Sequence, residues 1–162
     1  MLKAKDGVEA EALVKRLKAL GKKMVAAESC TAGLIANAIA AVPGASEVFW
    51  GSFVVYTPEA KSAMLKVEAN LIRAFGAVSM EVARAMALEA LNISGVDFAV
   101  SVTGLAGPDG DGSQTPVGTV CIGLARPGES PKSLSVRFSG KRNLVRLYAA
   151  NLALEELLKY IG

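Results

Sequence analysis

Glu28-Ser29-Cys30-Thr31-Ala32-Gly33 is the stretch whose residue types and spacing could do chemistry. It follows the apolar run 24–27. It precedes 34–41, whose alanine content and apolar spacing predict a helix. Ser29 is therefore predicted at a strand-to-helix turn. Amides at the start of a helix have no intrahelical partner and favour negative charge. A hydroxyl placed there can attack a carbonyl beside ready oxyanion donors. The same position also suits a plain N-cap role for Ser29 or Thr31.

The chain contains no histidine. That excludes Ser-His-Asp, Cys-His and HExxH chemistry. Cys30 and Cys121 are the two cysteines. They form no CxxC and cannot supply the soft ligands of a zinc site, so no metal is predicted. They fit a reducing, cytoplasmic compartment. A hydrolase with a serine nucleophile here needs a base other than histidine.

Three further segments could contribute. Thr57-Pro58-Glu59 reads as a helix start, with a capping threonine and proline at the first helical position. Tyr56 and Lys61 flank it. The stretch 98–102 reads as a buried strand running into the glycine-rich loop 103–113. Lys141 and Arg142 open the last predicted helix. Cations there oppose the macrodipole by a few tenths up to about 1 kcal/mol, a cost that a bound anion would reverse. Each segment also has an ordinary reading: a solvated lysine, a packing tyrosine, a polar surface turn, a helix starting slightly later. The loop matches neither GxxxxGK[ST] nor GxGxxG. It is not a calcium loop either, because Gln114 and Val120 stand where glycine and glutamate are needed.

The elements that must position these groups follow from periodicity. Helices are predicted over 8–20, 34–41, from 58, 68–75, 80–91 and 141–161, and strands over 23–27, 47–56, 98–102, 117–125 and 133–138. Gly51 is predicted to mark a bulge or a close backbone approach. Helices and strands are mixed along one chain without repeat or linker, which predicts an α/β layered fold.

Composition sets the bounds. The chain has 162 residues, 52% hydrophobic and 20% charged. One domain over 1–162 with a sizeable core is expected. The generous apolar share predicts a homo-oligomer. A net charge of +3 without a basic run argues against nucleic acid. No apolar stretch is long enough to span a membrane. Lys3, Lys5, Asp6, Glu9 and Glu11 break up the N-terminus, so no signal peptide is predicted.

Ala27-Glu28-Ser29-Cys30-Thr31, Val54-Val55-Tyr56 with Lys61, Gly76-Ala77-Val78-Ser79, and Thr103-Gly104-Leu105-Ala106-Gly107-Pro108 followed by Pro116-Val117-Gly118-Thr119-Val120 together resemble one family. It is the CinA C-terminal domain family of nicotinamide-nucleotide amidases. The resemblance runs from the first helix to the last. It implies a three-layer α/β/α sandwich with a mixed sheet, in a single domain. It also implies hydrolysis of nicotinamide mononucleotide to nicotinic acid mononucleotide and ammonia, in pyridine-nucleotide recycling, with no cofactor. Larger relatives carry an additional molybdopterin-binding-like domain, and this chain resembles the stand-alone form.

By resemblance, Ser29 is the nucleophile and Lys61 the base, with Tyr56 close by to share a proton relay. A lysine serves as base only when burial or positive neighbours lower its pKa. Amides near Cys30 and Thr31 would hold the oxyanion. Thr103, Gly104, Ala106 and Gly107 would line the nucleotide. Arg142 and Arg146, four apart on one helix, would meet its phosphate. Cys30 itself reads as a small buried residue. Ala32, Pro58, Asp111 and Lys141 depart from the family pattern and leave room for altered activity. A non-catalytic pyridine-nucleotide binder, or an amidase for another small carboxamide, are the alternative functions.

Overall fold

The computed structural model describes residues 8–162. Lys3, Lys5 and Asp6, part of the N-terminal charge pattern, lie outside them. Helix α1 (Val8–Leu20) buries Leu13, Val14 and Leu17 of its apolar spacing, while Leu20, the fourth such position, is exposed. Strand β1 (Met24–Glu28) is buried along its whole length. Then come α2 (Leu34–Ala40), a short turn at Ala45–Glu47 and β2 (Phe49–Val54). Helices α3 (Pro58–Leu65), α4 (Ala69–Phe75) and α5 (Met80–Ser94) lead to β3 (Phe98–Gly104). Strands β4 (Thr119–Ala125) and β5 (Lys132–Arg137) and the long α6 (Arg142–Ile161) complete the order.

The local signals act where the sequence puts them. The Thr57 hydroxyl accepts from the Ala60 amide at 3.1 Å, and Pro58 is the first helical residue of α3. The Ser79 hydroxyl accepts from the Val82 amide and caps α5. In β2, Met24 pairs with Phe49 but Val25 with Gly51, so the strand carries one extra residue at the predicted bulge. Strand β4 begins at Thr119, two residues later than the apolar pattern suggests. Gly118 has φ +92, and a Cβ there would lie 2.0 Å from the Phe138 carbonyl oxygen.

The sheet order is β2-β1-β3-β4-β5. Strands β2, β1 and β3 run parallel, while β4 and β5 are antiparallel, so the sheet is mixed. Alternate residues of a strand face opposite sides. Met24 and Ala26 accordingly join a core with α1, α2 and α6, and Val25 and Ala27 one with α3, α4 and α5. This is the expected α/β/α sandwich. Helix α5 approaches the sheet closely: the Ser101 hydroxyl donates to the Ala83 carbonyl at 2.6 Å. A Cβ on Gly123 would lie 2.1 Å from that same oxygen.

The parallel strands end together. Glu28 is level with Val54 on one side and Val102 on the other. Both neighbours extend the ladder, through Val55 N–H to Glu28 O and Ser29 N–H to Val102 O. The chain turns from β1 to β2 on one side and reaches β3 on the other. Such a switch point, at the carboxyl ends of parallel strands, is where open α/β sheets bind ligands.

Candidate active site

Ser29 follows the last residue of β1, and Lys61 reaches it from the first turn of α3. The Lys61 ammonium Nζ donates to Ser29 Oγ at 2.8 Å and to the Val55 carbonyl at 3.3 Å. Ser29 Oγ also lies 3.4 Å from the Tyr56 carbonyl, to which it can donate. Lys61 is 1% exposed. Burial lowers its ammonium from the ordinary value of 10.5 to about 8, partly opposed by the nearby Cys30 sulfur. A lysine tuned this way can accept a proton near neutral pH. Cys30 is tuned the other way: burial pushes its thiol up to about 11, so it stays protonated and poorly nucleophilic.

The turn after Ser29 differs from the expected one. Helix α2 starts only at Leu34. Its N-cap is Gly33, with φ +95 and no side-chain cap, so neither Ser29 nor Thr31 caps it. The Glu28 carboxylate satisfies the helix start instead. It accepts from the amides of Gly33, Ile35 and Ala36 at 2.9–3.1 Å and from the Ser52 hydroxyl at 3.0 Å. The helix end is therefore not open to an oxyanion. The amides of Cys30 and Thr31 are: among the described residues, no backbone carbonyl accepts from either. Sequence reasoning missed Glu28. The signal was there, since a carboxylate closing a fully buried strand must find donors.

Ala32 has φ +47, a left-handed conformation that costs a non-glycine residue roughly 1–2 kcal/mol. Ala32 is one of the positions that depart from the family pattern. Ala32→Gly should raise unfolding free energy by about 1 kcal/mol, read from denaturant midpoints at unchanged m-value.

The other predicted residues surround this turn. Thr103 is buried, and its hydroxyl donates to the Ala77 carbonyl at 2.7 Å, which leaves it only acceptor capacity. Gly104 packs against the turn: a Cβ there would lie 2.9 Å from Cys30 Sγ. Ala106 is buried. Gly107 has φ +84, and its carbonyl accepts from Arg142 at 2.6 Å.

Two expected roles look different in the structure. Tyr56 is 52% exposed, and its phenol oxygen accepts from the Arg142 guanidinium at 2.6 Å. Only its backbone carbonyl touches Ser29, so a relay through the phenol is not formed. Arg146 was expected beside Arg142 at a phosphate. Instead its Nε donates to the Cys30 carbonyl at 2.8 Å and its Nη2 to the Thr31 carbonyl at 3.1 Å. One helical turn along α6 carries it from the glycine loop to the turn after Ser29. Among the described residues, no three Cys, Asp or Glu side chains group to hold a metal ion, and no helix is long and apolar enough to cross a membrane.

A family model described as the CinA C-terminal domain matches residues 8–161. The chain belongs to this family. As a CinA C-terminal domain it is 45% identical to a protein of Enterobacter agglomerans named nicotinamide-nucleotide amidohydrolase PncC, over 88% of this chain and 87% of that one. It is also 45% identical to a CinA-like protein of Syntrophomonas wolfei, over 87% of this chain. This chain spans only 34% of that relative's length. The crystal structure of a competence or damage-inducible protein from Enterobacter asburiae superposes with a TM-score of 0.92 at 32% identity, covering 96% of this chain and 98% of that one.

Proposed function

We propose that this chain hydrolyses the carboxamide of nicotinamide mononucleotide, giving nicotinic acid mononucleotide and ammonia. The observation that carries this reading is the buried 2.8 Å contact between Lys61 Nζ and Ser29 Oγ. The likeness to the amidohydrolase from Enterobacter agglomerans supports the substrate. Neutral Lys61 takes the Ser29 proton as Oγ bonds to the carboxamide carbon. The amides of Cys30 and Thr31 receive the oxyanion. As the tetrahedral intermediate collapses, the C–N bond breaks and Lys61 returns the proton to the leaving nitrogen, releasing ammonia. Water, deprotonated by Lys61, then cleaves the acyl ester and restores Ser29. Tyr56 serves this scheme through Arg142, whose guanidinium it holds at the site rim. Thr103, Gly104, Ala106 and Gly107 form the nucleotide side.

In this scheme the enzyme acts in pyridine-nucleotide recycling in the cytoplasm, as one domain and as a homo-oligomer. The exposed Trp50 and Val54 on edge strand β2 support self-association.

The test is ammonia release by the purified chain from nicotinamide mononucleotide, nicotinamide riboside and simple carboxamides. A binder without turnover would release none, and an amidase for another carboxamide would prefer a different substrate. Arg142 is the guanidinium we assign to the phosphate, and a lost charged hydrogen bond costs about 1.5–3 kcal/mol. The riboside should therefore be about tenfold or more poorer than the mononucleotide. Arg142→Ala should weaken mononucleotide use and narrow that gap, as a cycle with the phosphate as one partner. Equal hydrolysis of the two by the unmutated chain would mean that the phosphate is not read.

A further inference from the structure

We infer that Arg146 is a positioning residue, which sets the oxyanion donor by gripping the outer side of the nucleophile turn. The inference rests on the serine-amidase reading and concerns a residue that reading leaves without a task. Arg146 donates to two successive carbonyls, Cys30 at 2.8 Å and Thr31 at 3.1 Å, and to the Asn143 side chain at 3.1 Å. Three of its five N–H donors are thus engaged within the protein.

The consequence follows from peptide geometry. In a trans peptide the C=O and the following N–H point in opposite directions. With Cys30 C=O drawn toward Arg146, the Thr31 N–H of the same unit faces the other way. With Thr31 C=O drawn the same way, the Ala32 N–H also faces away, and it closes the turn on the Ser29 carbonyl at 3.1 Å. The Thr31 amide is left without a backbone acceptor. One planar cation thus orients the Cys30–Thr31 peptide and joins the Leu34 amide in holding the next one, and it polarises the carbonyls it holds.

Of the two carbonyls, that of Thr31 also accepts from the Leu34 amide at 3.2 Å, while that of Cys30, whose peptide unit carries the Thr31 N–H, is held by Arg146. Glu28 holds residues 33, 35 and 36, beyond the turn. The Thr31 hydroxyl is buried and makes no hydrogen bond. Ala32 sits in the left-handed region at φ +47, a conformation that needs surrounding contacts to persist. Among the described residues, Arg146 is the side chain that fixes the carbonyls of 30 and 31.

The experiment compares Arg146→Ala and Arg146→Lys with the unmutated chain. It uses two readouts: steady-state ammonia release from mononucleotide and riboside, and the rate at which a small fluorophosphonate modifies Ser29. In the second, the Oγ–P bond forms, the P–F bond breaks, fluoride leaves and Lys61 takes the proton, while the phosphoryl oxygen enters the oxyanion site. Arg146→Ala should lower kcat about a hundredfold, the scale of one lost oxyanion donor, and slow phosphonylation in parallel. KM for the mononucleotide should stay within about threefold, and the riboside should lose the same factor as the mononucleotide, because the carboxamide end is what suffers. Arg146→Lys reaches one carbonyl but not both, so it should recover part of both rates. A raised KM for the mononucleotide at unchanged kcat, with the riboside unaffected, would make Arg146 a phosphate ligand and overturn the inference. So would unchanged phosphonylation in a folded Arg146→Ala. If the unmutated chain is phosphonylated but releases no ammonia, the amidase reading fails, and the phosphonylation rates still decide the role of Arg146.

Discussion

Ser29→Ala should abolish ammonia release, with kcat falling on the order of 10⁴–10⁶-fold, the range seen when a nucleophile that works as a unit with its base is removed. Cys30→Ala should keep most of it. The two side chains are adjacent on one turn, so position alone does not separate them. Their environments do. Ser29 Oγ faces the Lys61 amine at 2.8 Å, which can take its proton. The Cys30 thiol is 5% exposed, belongs to the core beneath α2 and α6, and is held protonated up to about pH 11 by burial. A thiol in that state is neither a good nucleophile nor easily alkylated. Iodoacetamide at pH 7 should therefore leave activity intact. Ser29→Ala should still melt cooperatively, because it removes one hydroxyl and leaves Lys61 its bond to the Val55 carbonyl. Retained turnover in Ser29→Ala would sink the covalent mechanism. Loss confined to Cys30→Ala would move the nucleophile by one residue.

The fold was legible because its signals are local. Apolar spacing and the Thr57 cap each act within a few residues, and the helices and strands lie within a few residues of where those signals put them. The mixed sheet and three layers came from the family resemblance, since no local pattern tells which strands pair. In the site, the family resemblance named Lys61 as the base, in keeping with the absence of histidine, and the structure sets Lys61 against Ser29. What stayed hidden depends on where long side chains go after folding. The four-residue spacing of Arg142 and Arg146 correctly puts them on one helix face. It cannot say that one guanidinium turns to Gly107 and Tyr56 and the other to Cys30 and Thr31. Tyr56 likewise shows its carbonyl, not its phenol, to Ser29. Glu28 was hidden for another reason. Its carboxylate caps a helix that starts six residues later, outside the spacing of a capping box.

Lys61→Met should lower kcat/KM by about 10²–10⁴, the usual worth of a general base, and remove one limb of the pH profile. In the unmutated chain that limb rises with pH and has its midpoint near 8, where Lys61 loses its proton. At pH 7 about a tenth of the molecules carry the neutral amine, so activity should still climb between pH 7 and 9. Folding offers an independent check on the same group. The folded-state value of about 8 lies below the unfolded value of 10.5. Between these limits the unfolded chain binds more protons at Lys61, so stability rises with pH there. Below pH 8 the buried ammonium exerts its full destabilising effect, about 3 kcal/mol for a shift of this size. Above pH 10.5 that effect is gone. Methionine has similar length and no charge to desolvate, so Lys61→Met should lack the rise. The difference between the two proteins between pH 8 and 10.5 isolates Lys61 from the other groups that titrate there. Denaturant unfolding across that window measures it. A folded Lys61→Met with near-normal turnover would remove Lys61 from the mechanism. A variant that loses turnover yet keeps the same stability rise would show that Lys61 is not the group titrating near pH 8.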